Sequence, residues 1–309
     1  MTMQSIQTLI DNVEKVIIGK HPVIELAVIA LLCRGHVLLE DVPGTGKTML
    51  ARALARSVAV DMKRLQCTPD LLPTDITGVP IYNQKTGDFE FRPGPVFTHL
   101  LLADEINRAT PRAQSALLEC MEEFRVSVDG NTYDLPPLFM VLATQNPIDM
   151  AGTHVLPEAQ LDRFFVRLSV GYPTLAEEVK ILGAQALSHP IEHLQPVTTE
   201  TEIVAAREKV KQIHIHPDVA EYIARIIAAT RHHPDLRLGA SPRGTLALAR
   251  GVRGLAFLQG REYATPDMVK YMASPVLEHR LIVRPQAAAL GRTAHQILKE
   301  VLDQVPPPV

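Results

Sequence analysis

Short apolar runs alternate with helical patterns over the first 171 residues of the chain. A short continuous apolar run is typical of a buried strand, whereas apolar positions three and four residues apart indicate an amphipathic helix. Strands that alternate with helices in this way predict an α/β fold built on a parallel sheet. The predicted strands cover residues 36–40, 62–67, 99–105, 138–143 and 165–170, and the predicted helices cover residues 5–19, 23–34, 47–58, 111–123 and 156–164.

Two segments interrupt this alternation and predict β-hairpins. Residues 68–99 are rich in Pro, Gly, Thr and Asp, and their later part alternates apolar and polar side chains like an edge strand. We expect a hairpin over 78–97, inserted in what would otherwise be a helical crossover, although from spacing alone a plain surface hairpin is the safer interpretation. A second hairpin is predicted over 125–135, with Asp129 and Gly130 as its turn.

After Gly171 the pattern becomes one of helical periodicity without further apolar runs of the strand type. We therefore expect two domains, an α/β domain over residues 1–171 and an all-helical domain over residues 172–309. The predicted helices of the second domain cover residues 174–187, 199–212, 217–231, 242–259, 266–280 and 291–303.

Charge and cysteine content argue against several classes of protein. The chain has 31 basic and 34 acidic side chains and a formal net charge of −3, which is unlike a general nucleic-acid or membrane-surface binder. Cys33, Cys67 and Cys120 lie far apart in apolar contexts, as expected of reduced core residues. The start of the chain has no basic segment followed by an apolar one, and the longest apolar run, 23–33, contains Glu25 and is too short to span a bilayer. We expect a cytoplasmic protein without stable membrane insertion.

The first predicted strand runs into a glycine-bearing loop and then a helix. Backbone N–H groups of such a loop and the positive end of the following helix together bind a polyphosphate. Gly44 and Gly46 allow the backbone to approach the phosphates. Lys47 is suited to reach the β- and γ-phosphates, and the Thr48 hydroxyl is suited to bind Mg²⁺. Asp41 stands where the general pattern has its first glycine, and an acid beside phosphates is unfavourable unless its carboxylate turns away.

Two carboxylates and an amide end two neighbouring predicted strands. Asp104 and Glu105 close one apolar run, and the carboxyl ends of parallel strands face the ligand crevice. Asp104 is suited to hold Mg²⁺, and Glu105 to orient and activate the attacking water. Asn146, which ends the next strand, is suited to hydrogen-bond the same water or the γ-phosphate. A charged strand end and an Asn-Pro turn are the simpler interpretations of these residues.

Taken together, these motifs resemble those of the AAA+ ATPases, and most closely the MoxR family in the helix-2-insert group. The resemblance covers essentially the whole chain. It implies a P-loop NTPase core with αβα layers, an all-α lid, and Mg²⁺-dependent ATPase activity with ATP bound between core and lid. It rests on Leu-Leu-Glu-Asp-Val-Pro-Gly-Thr-Gly-Lys-Thr at 38–48, Leu-Leu-Ala-Asp-Glu-Ile-Asn-Arg-Ala at 101–109, Ala-Thr-Gln-Asn-Pro at 143–147, Leu-Pro-Glu-Ala-Gln-Leu-Asp-Arg-Phe at 156–164 and Leu-Gly-Ala-Ser-Pro-Arg at 238–243.

The resemblance also implies roles for individual residues. Asp104 and Glu105 match Walker B, and Asn146 matches sensor 1. Arg163 matches the arginine finger, which acts on the ATP of a neighbouring subunit, and Arg243 matches sensor 2, which is expected to contact the γ-phosphate of its own subunit. The nucleotide is expected to contact a segment that sandwiches adenine, at Ile17, Ile18 and Gly19, and the Walker A loop, at Pro43, Gly44, Thr45, Gly46, Lys47, Thr48 and Met49.

The implied partners are further copies of the chain and a client protein. Because the arginine finger acts on a neighbour, we expect a homo-oligomeric ring, a hexamer, and poor ATPase activity of the isolated subunit. The family suggests a chaperone-like remodeller that assembles or activates complexes with a von Willebrand factor A-domain protein. The two hairpins match elements that face the central pore in related motors, and lid closure would move them against the client.

Two other functions stay open. One is a nucleic-acid motor, since helix-2 insertions also occur in such relatives, but the hairpin loop 83–87 carries a single basic residue and no nucleic-acid partner is expected. The other is a nucleotide-gated binding module with little turnover, in which Glu105→Gln would not change the output. Arg108 and Arg112 either contact the adjacent subunit or cap and solvate a helix start.

Overall fold

The structure is a computed structural model that describes residues 3–147, 153–185 and 188–308. Its first half alternates helices and strands, with two hairpins inserted. In chain order the elements are α1 (Met3–Glu14), α2 (His21–Leu32), β1 (Val37–Glu40), α3 (Lys47–Val58), β2 (Met62–Gln66), α4 (Pro73–Thr77), β3 (Gly78–Asn83), β4 (Asp88–Pro93), β5 (Leu100–Asp104), α5 (Pro111–Glu123), β6 (Arg125–Val128), β7 (Asn131–Asp134), β8 (Met140–Gln145), α6 (Glu158–Leu161) and β9 (Val166–Leu168).

Five of these strands form a parallel sheet with the order β2-β5-β8-β1-β9. β8 therefore lies between β5 and β1, and the carboxyl ends of these three strands meet at one edge. The central strands β5, β8 and β1 are largely apolar runs because helices cover both faces of the sheet, and the side chains of residues 100–103 are fully buried. The edge strand β2 is mostly exposed. The predicted α/β fold with a parallel sheet is confirmed.

Both predicted hairpins are present. β3 pairs antiparallel with β4, and β6 pairs antiparallel with β7. Asp129 and Gly130 have φ values of +49° and +78°, as a tight turn of type I′ requires. The hairpins also contact each other, because the Phe91 ring stacks on the Tyr133 ring with centroids 4.2 Å apart.

The second half is helical, with one addition that the sequence did not predict. Residues 236–238 and 282–283 form a short antiparallel pair, and strands of this length are too short to show an alternating pattern. In chain order the elements are α7 (Leu175–Ala184), α8 (Pro190–His193), α9 (Glu200–Gln212), α10 (Pro217–His232), β10 (Leu236–Leu238), α11 (Pro242–Leu258), α12 (Pro266–Leu277), β11 (Ile282–Val283), α13 (Pro285–Ala289) and α14 (Ala294–Gln304).

Helix α11 fastens the helical half to the first half. It packs against α1, α2 and α9, and a Cβ at Gly254 would come within 2.7 Å of Cys33 Sγ. The buried Arg280 adds a polar link, since its Nε donates to Asp162 Oδ1 at 2.7 Å. One apolar core runs from α1, α2 and α3 into the helices of the second half. Because the two halves share this core, the domain boundary expected between residues 171 and 172 stays a prediction.

Several helix bounds differ from the predicted ones for local reasons. α3 and α5 begin and end where predicted, but α1 ends at Glu14. The chain there tightens into a turn, in which Val16 N–H donates to Val13 O three residues back, and Gly19 adopts a left-handed φ of +77°. The helix predicted over 174–187 is described to Ala184, and residues 186–187 lie outside the described residues. Among the described helices, none is both long and apolar enough to cross a membrane.

Candidate active site

The glycine-bearing loop connects β1 to α3 at the edge where the strands end. Gly44 and Gly46 have φ values of +85° and +91°, and an added Cβ at either would meet no atom within 4 Å. Glycine is therefore required by the backbone conformation rather than by space. α3 begins at Lys47 without a side-chain cap, so its first N–H groups face the loop unpaired by a side chain. This arrangement is suited to bind an anion.

The Lys47 ammonium folds back onto the loop. Its Nζ donates to Asp41 O at 2.9 Å and to Val42 O at 2.6 Å. Burial lowers the pKa of Lys47, while the negative charges of Asp41, Asp104 and Glu105 act in the opposite direction. Two carbonyl groups at the start of the loop thus hold the ammonium, and phosphate oxygens would replace them.

Asp41 turns its carboxylate away from the loop. Its Oδ2 accepts hydrogen bonds from Gly171 N at 2.8 Å and from Ser169 Oγ at 3.3 Å. Both partners lie just after β9, so the carboxylate ties the start of the phosphate loop to the neighbouring strand. The departure from the usual glycine therefore has a structural role in this chain.

Asp104 is held from the strands on both sides of β5. Thr144 Oγ1, on β8, donates to Asp104 Oδ1 at 2.6 Å, and Arg64, on β2, donates to Asp104 Oδ2 through Nη2 at 2.7 Å and Nε at 3.1 Å. Thr144 Oγ1 also accepts the backbone N–H of Glu105 at 2.8 Å. One threonine therefore orients both acidic residues.

Glu105 adopts an unusual backbone conformation, with a φ of +56°. Its Oε2 lies 3.1 Å from Arg108 Nη1 and accepts a long hydrogen bond from Gln66 Nε2 at 3.4 Å. Arg108 thus makes a contact within its own subunit that neither of the two sequence interpretations contained. Arg112 is exposed at the start of α5, and its role stays open.

These groups surround one cavity of about 340 Å³. It joins the phosphate loop, the two acids at the end of β5 and the residues that end β8. The sequence thus correctly grouped the Walker A, Walker B and sensor 1 candidates around one crevice. The lining residues are Asp41, Pro43, Gly44, Gly46, Lys47, Thr48, Met49, Asp104, Glu105, Thr144, Gln145 and Asn146.

Two other groups of predicted nucleotide contacts lie outside this lining. Thr45 is in the loop, and its hydroxyl donates to Val42 O at 3.3 Å. Ile17, Ile18 and Gly19 form the turn between α1 and α2, with Ile17 buried, Ile18 half-buried and Gly19 exposed. Their contact with adenine stays a prediction.

Arg163 and Arg243 lie together, but not with the phosphate loop. Arg163 comes just before β9, at the amino end of the sheet. There the N–H of Phe165 donates to His36 O, just before β1 and β9 pair in parallel. The phosphate loop, in contrast, follows the carboxyl end of β1. Glu122 Oε2, at the end of α5, lies 3.0 Å from Arg163 Nη2, and Glu122 Oε1 accepts from Arg243 Nη2. The expected contact of Arg243 with its own subunit's γ-phosphate is therefore not supported, because the side chain is held at the opposite end of the sheet. The expectation that ATP lies between core and lid within one subunit loses its main support for the same reason.

The side chains that orient the predicted site residues were not predicted from the sequence. Arg64, Gln66 and Thr144 act across adjacent strands, and Glu122 joins two segments distant in sequence. Thr144 had a detectable signal, because it stands at the end of a buried strand next to the polar pair that follows it. Glu122 had no such signal in the sequence, since it is one of several acids in an amphipathic helix.

Two family models match the chain. One is described as the ATPase family associated with various cellular activities and matches residues 36–166. The other is described as an AAA lid domain and matches residues 228–301. The first match contains the phosphate loop, both acids and Arg163, and the second contains Arg243.

Similar proteins match over most of the chain. The uncharacterized protein YeaC of Bacillus subtilis is 48% identical over 97% of this chain and 94% of its own length. The chaperone MoxR1 of Mycobacterium tuberculosis is 38% identical over 98% of this chain and 82% of its own. The crystal structure of a candidate ATPase from Cytophaga hutchinsonii has a TM-score of 0.93 at 36% identity, and the match covers 99% of this chain and 96% of that one.

Proposed function

The chain belongs to the MoxR family of AAA+ ATPases, and we propose that it hydrolyses ATP, with Mg²⁺, to remodel a partner protein. The observation that carries this proposal is the cavity that Lys47, Thr48, Asp104 and Glu105 share. Phosphoryl transfer depends mostly on positioning and electrostatic stabilisation, and this set contains a cation for the phosphates and acids for metal and water.

The residues fit the binding of ATP with a divalent cation. The N–H groups of the loop and of the start of α3 bind phosphate oxygens, and Lys47 exchanges its two carbonyl partners for them. The Thr48 hydroxyl and the Asp104 carboxylate would supply oxygen ligands, which Mg²⁺ prefers. An ion held by these residues would neutralise charge on the phosphates. Thr144 and Arg64 hold the Asp104 carboxylate in one orientation for this purpose.

Glu105 is the proposed general base, with Asn146 positioning the attacking water. The Glu105 carboxylate is now paired with Arg108, so activation of water requires that this contact loosen or that water enter beside it. Glu105→Gln should reduce ATP turnover by about 10²–10⁴-fold and retain nucleotide binding. Lys47→Ala should lose nucleotide binding itself. Glu119→Gln, an exposed glutamate on α5, is the matched control and should behave like the wild type.

We further propose that Arg163 and Arg243 act together on the nucleotide of a neighbouring subunit in a ring, as a hexamer would provide. Their placement at the amino end of the sheet supports this, because neither faces the phosphate loop of its own subunit. Glu122 supplies one negative charge to two arginines, which leaves the pair with net positive charge for a phosphate. An arginine finger contributes about 10³–10⁵ in rate in comparable systems.

Mixed rings test this directly. Lys47→Ala and Arg163→Ala chains should each be inactive alone, and mixing them should restore part of the ATPase activity. A recovered site would combine an intact phosphate loop from one chain with an intact Arg163 from the other. Arg125→Ala, which removes an exposed arginine on β6, is the control for loss of an arginine. Co-assembly without any recovery would contradict the arrangement.

The client is proposed to be a von Willebrand factor A-domain protein, on the family resemblance. The β3–β4 hairpin supports contact with a protein, since Tyr82 and Phe89 at its end are 53% and 72% exposed. A pull-down with the Glu105→Gln chain in the presence of ATP, with the bound proteins identified by mass spectrometry, tests this. Turnover stimulated by DNA instead of a protein client would favour a nucleic-acid motor, and unchanged output of Glu105→Gln would favour a nucleotide-gated binding module.

We also propose a cytoplasmic location. Cys33, Cys67 and Cys120 are buried and unpaired, which suits a reducing compartment. Fractionation of cells that express the chain tests the proposal, and recovery outside the cytoplasm would contradict it.

A further inference from the structure

A second cavity lies at the opposite end of the sheet from the phosphate loop. It measures about 310 Å³ and lies between the end of α2, helices α9 and α11, and the segment before β8. It is lined by five basic side chains and one acid, Glu208, which is paired with Lys211 at 2.7 Å. We call it the basic cavity, after its four other basic residues, Arg34, Arg207, Arg250 and Arg253.

Arg207 is the buried member of this set, with 6% of its surface exposed. Its Nε donates to Leu31 O at 3.0 Å and its Nη1 donates to Pro137 O at 2.7 Å. These carbonyl groups, one of them in the last turn of α2, offset part of the charge. Its Nη2 is buried and has no partner, and no carboxylate of the described residues pairs with the guanidinium. Burial, above all, lowers the pKa of Arg207 to about 10, and the charge of Glu200, which is not hydrogen-bonded to the guanidinium, acts in the opposite direction. A buried guanidinium without a directly paired carboxylate is costly, and an anion bound beside it would offset that cost.

The other three arginines are held in place without being neutralised. Arg34 lies over the Phe124 ring at 3.8 Å, and Arg250 lies over the Phe165 ring at 5.5 Å. Arg253 Nε donates to a backbone carbonyl at 3.2 Å. Aromatic rings and carbonyl groups orient a guanidinium but leave its positive charge available to a ligand. In a chain with a net charge of −3, this is a local concentration of positive charge.

We propose that the basic cavity binds an oxyanion of the phosphate class, at a site separate from the phosphate loop. Guanidinium groups match phosphate oxygens in pairs, and the unpaired Nη2 of Arg207 supplies such donors. A phosphate dianion also offsets more of the four positive charges than a single carboxylate does. The volume accommodates inorganic phosphate or the terminal phosphates of a nucleotide.

The cavity that adjoins the basic cavity limits the source of the phosphate group to two. Arg34, Arg250 and Arg253 also line a neighbouring cavity of about 450 Å³, together with Arg163 and Arg243. Under the proposed function this neighbouring cavity receives the nucleotide of the next subunit. The ligand of the basic cavity is then either phosphate released by hydrolysis or a phosphate still attached to that nucleotide. The presence of an anion site does not depend on this choice.

The test uses the full chain with Lys47→Ala, which disables the phosphate loop. Binding of inorganic phosphate is measured by calorimetry and by phosphorus NMR, with ionic strength held constant by chloride. The Arg250→Met/Arg253→Met pair removes two donors that are not buried, so the fold should persist. Arg261→Met removes an exposed arginine outside the cavity and is the matched control. ADP and ATP are titrated in parallel.

We expect saturable phosphate binding by the Lys47→Ala chain, weakened about tenfold or more by the double substitution and unchanged by Arg261→Met. Nucleotide binding that exceeds phosphate binding and is lost in the same double variant would identify an attached phosphate as the ligand. Tighter binding of inorganic phosphate would identify the free ion. Absence of saturable binding of all three probes, or equal binding with and without the two arginines, would overturn the proposal. Because the readout is binding in a chain without Lys47, a failure of the proposed ATPase would be seen separately.

Discussion

Acid should destabilise the protein through His36, a buried histidine at the start of the strand that leads to the phosphate loop. The backbone N–H of Val141 donates to His36 Nδ1 at 2.9 Å, and His36 Nε2 lies 2.9 Å from Met121 O, to which it donates. Because a backbone N–H occupies Nδ1, the ring cannot take a second proton without losing that hydrogen bond. Burial, above all, lowers the pKa of His36 to about 4.

The sign and size of the effect follow from the two pKa values. The unfolded chain takes up the proton near the ordinary value of 6.5, and the folded chain does so only at about 4. The stability that depends on neutral His36 is therefore present in full above pH 6.5 and is lost as the pH falls toward 4. The difference corresponds to about 3 kcal/mol, against about 5–15 kcal/mol for a typical folded protein.

Urea unfolding followed by circular dichroism, repeated across this pH range, measures the effect. His36→Gln retains a donor and an acceptor but cannot titrate, so its free energy of unfolding should fall by about 3 kcal/mol less than that of the wild type. Other acid-sensitive groups are common to both chains and cancel. His232→Gln removes an exposed histidine and controls for loss of a histidine as such. Parallel curves for wild type and His36→Gln would refute the reasoning.

Three further substitutions test other contacts. Asp41→Asn removes the charge that accepts two hydrogen bonds near β9 and should lower the free energy of unfolding in urea by about 1.5–3 kcal/mol. Thr144→Val removes the hydroxyl between the two acids and should reduce kcat about 10–100-fold with little change in fold, as steady-state ATPase assays and circular dichroism would check. Gly254→Ala places a Cβ 2.7 Å from Cys33 Sγ and should cost about 1–3 kcal/mol in thermal unfolding, whereas Gly183→Ala meets no atom within 4 Å and should be neutral or slightly stabilising. Unchanged stability for Asp41→Asn, unchanged kcat for Thr144→Val, or equal effects of the two glycine substitutions would contradict the respective contact.

Local features of the chain were predictable from the sequence. The phosphate loop is a continuous stretch whose glycines, lysine and helix start act within a few residues of one another. α3 and α5 have the predicted bounds because their apolar spacing and their starts are encoded in adjacent residues. The Asp129–Gly130 turn likewise depends only on two residues that tolerate positive φ. The grouping of Asp104 with Asn146 needed one general rule in addition, namely that parallel strands end at the same edge.

Only the tertiary structure decided which distant residues serve that crevice and which do not. The strand order puts Arg64 and Thr144 on either side of Asp104, and no spacing in the chain encodes that order. The packing of α11 and α12 on the first half brings Arg243 beside Arg163, away from the phosphate loop.

The basic cavity also depends on long-range packing, since the residue Arg34 after α2 and the helices α9 and α11 contribute arginines that are far apart in sequence. The sequence by itself therefore determined the family, the phosphate loop and the acids, because their interactions are short-range. The direction of the Asp41 carboxylate, the place of Arg243 and the uncompensated charge around Arg207 depend on long-range packing, which is settled only when the whole chain has folded.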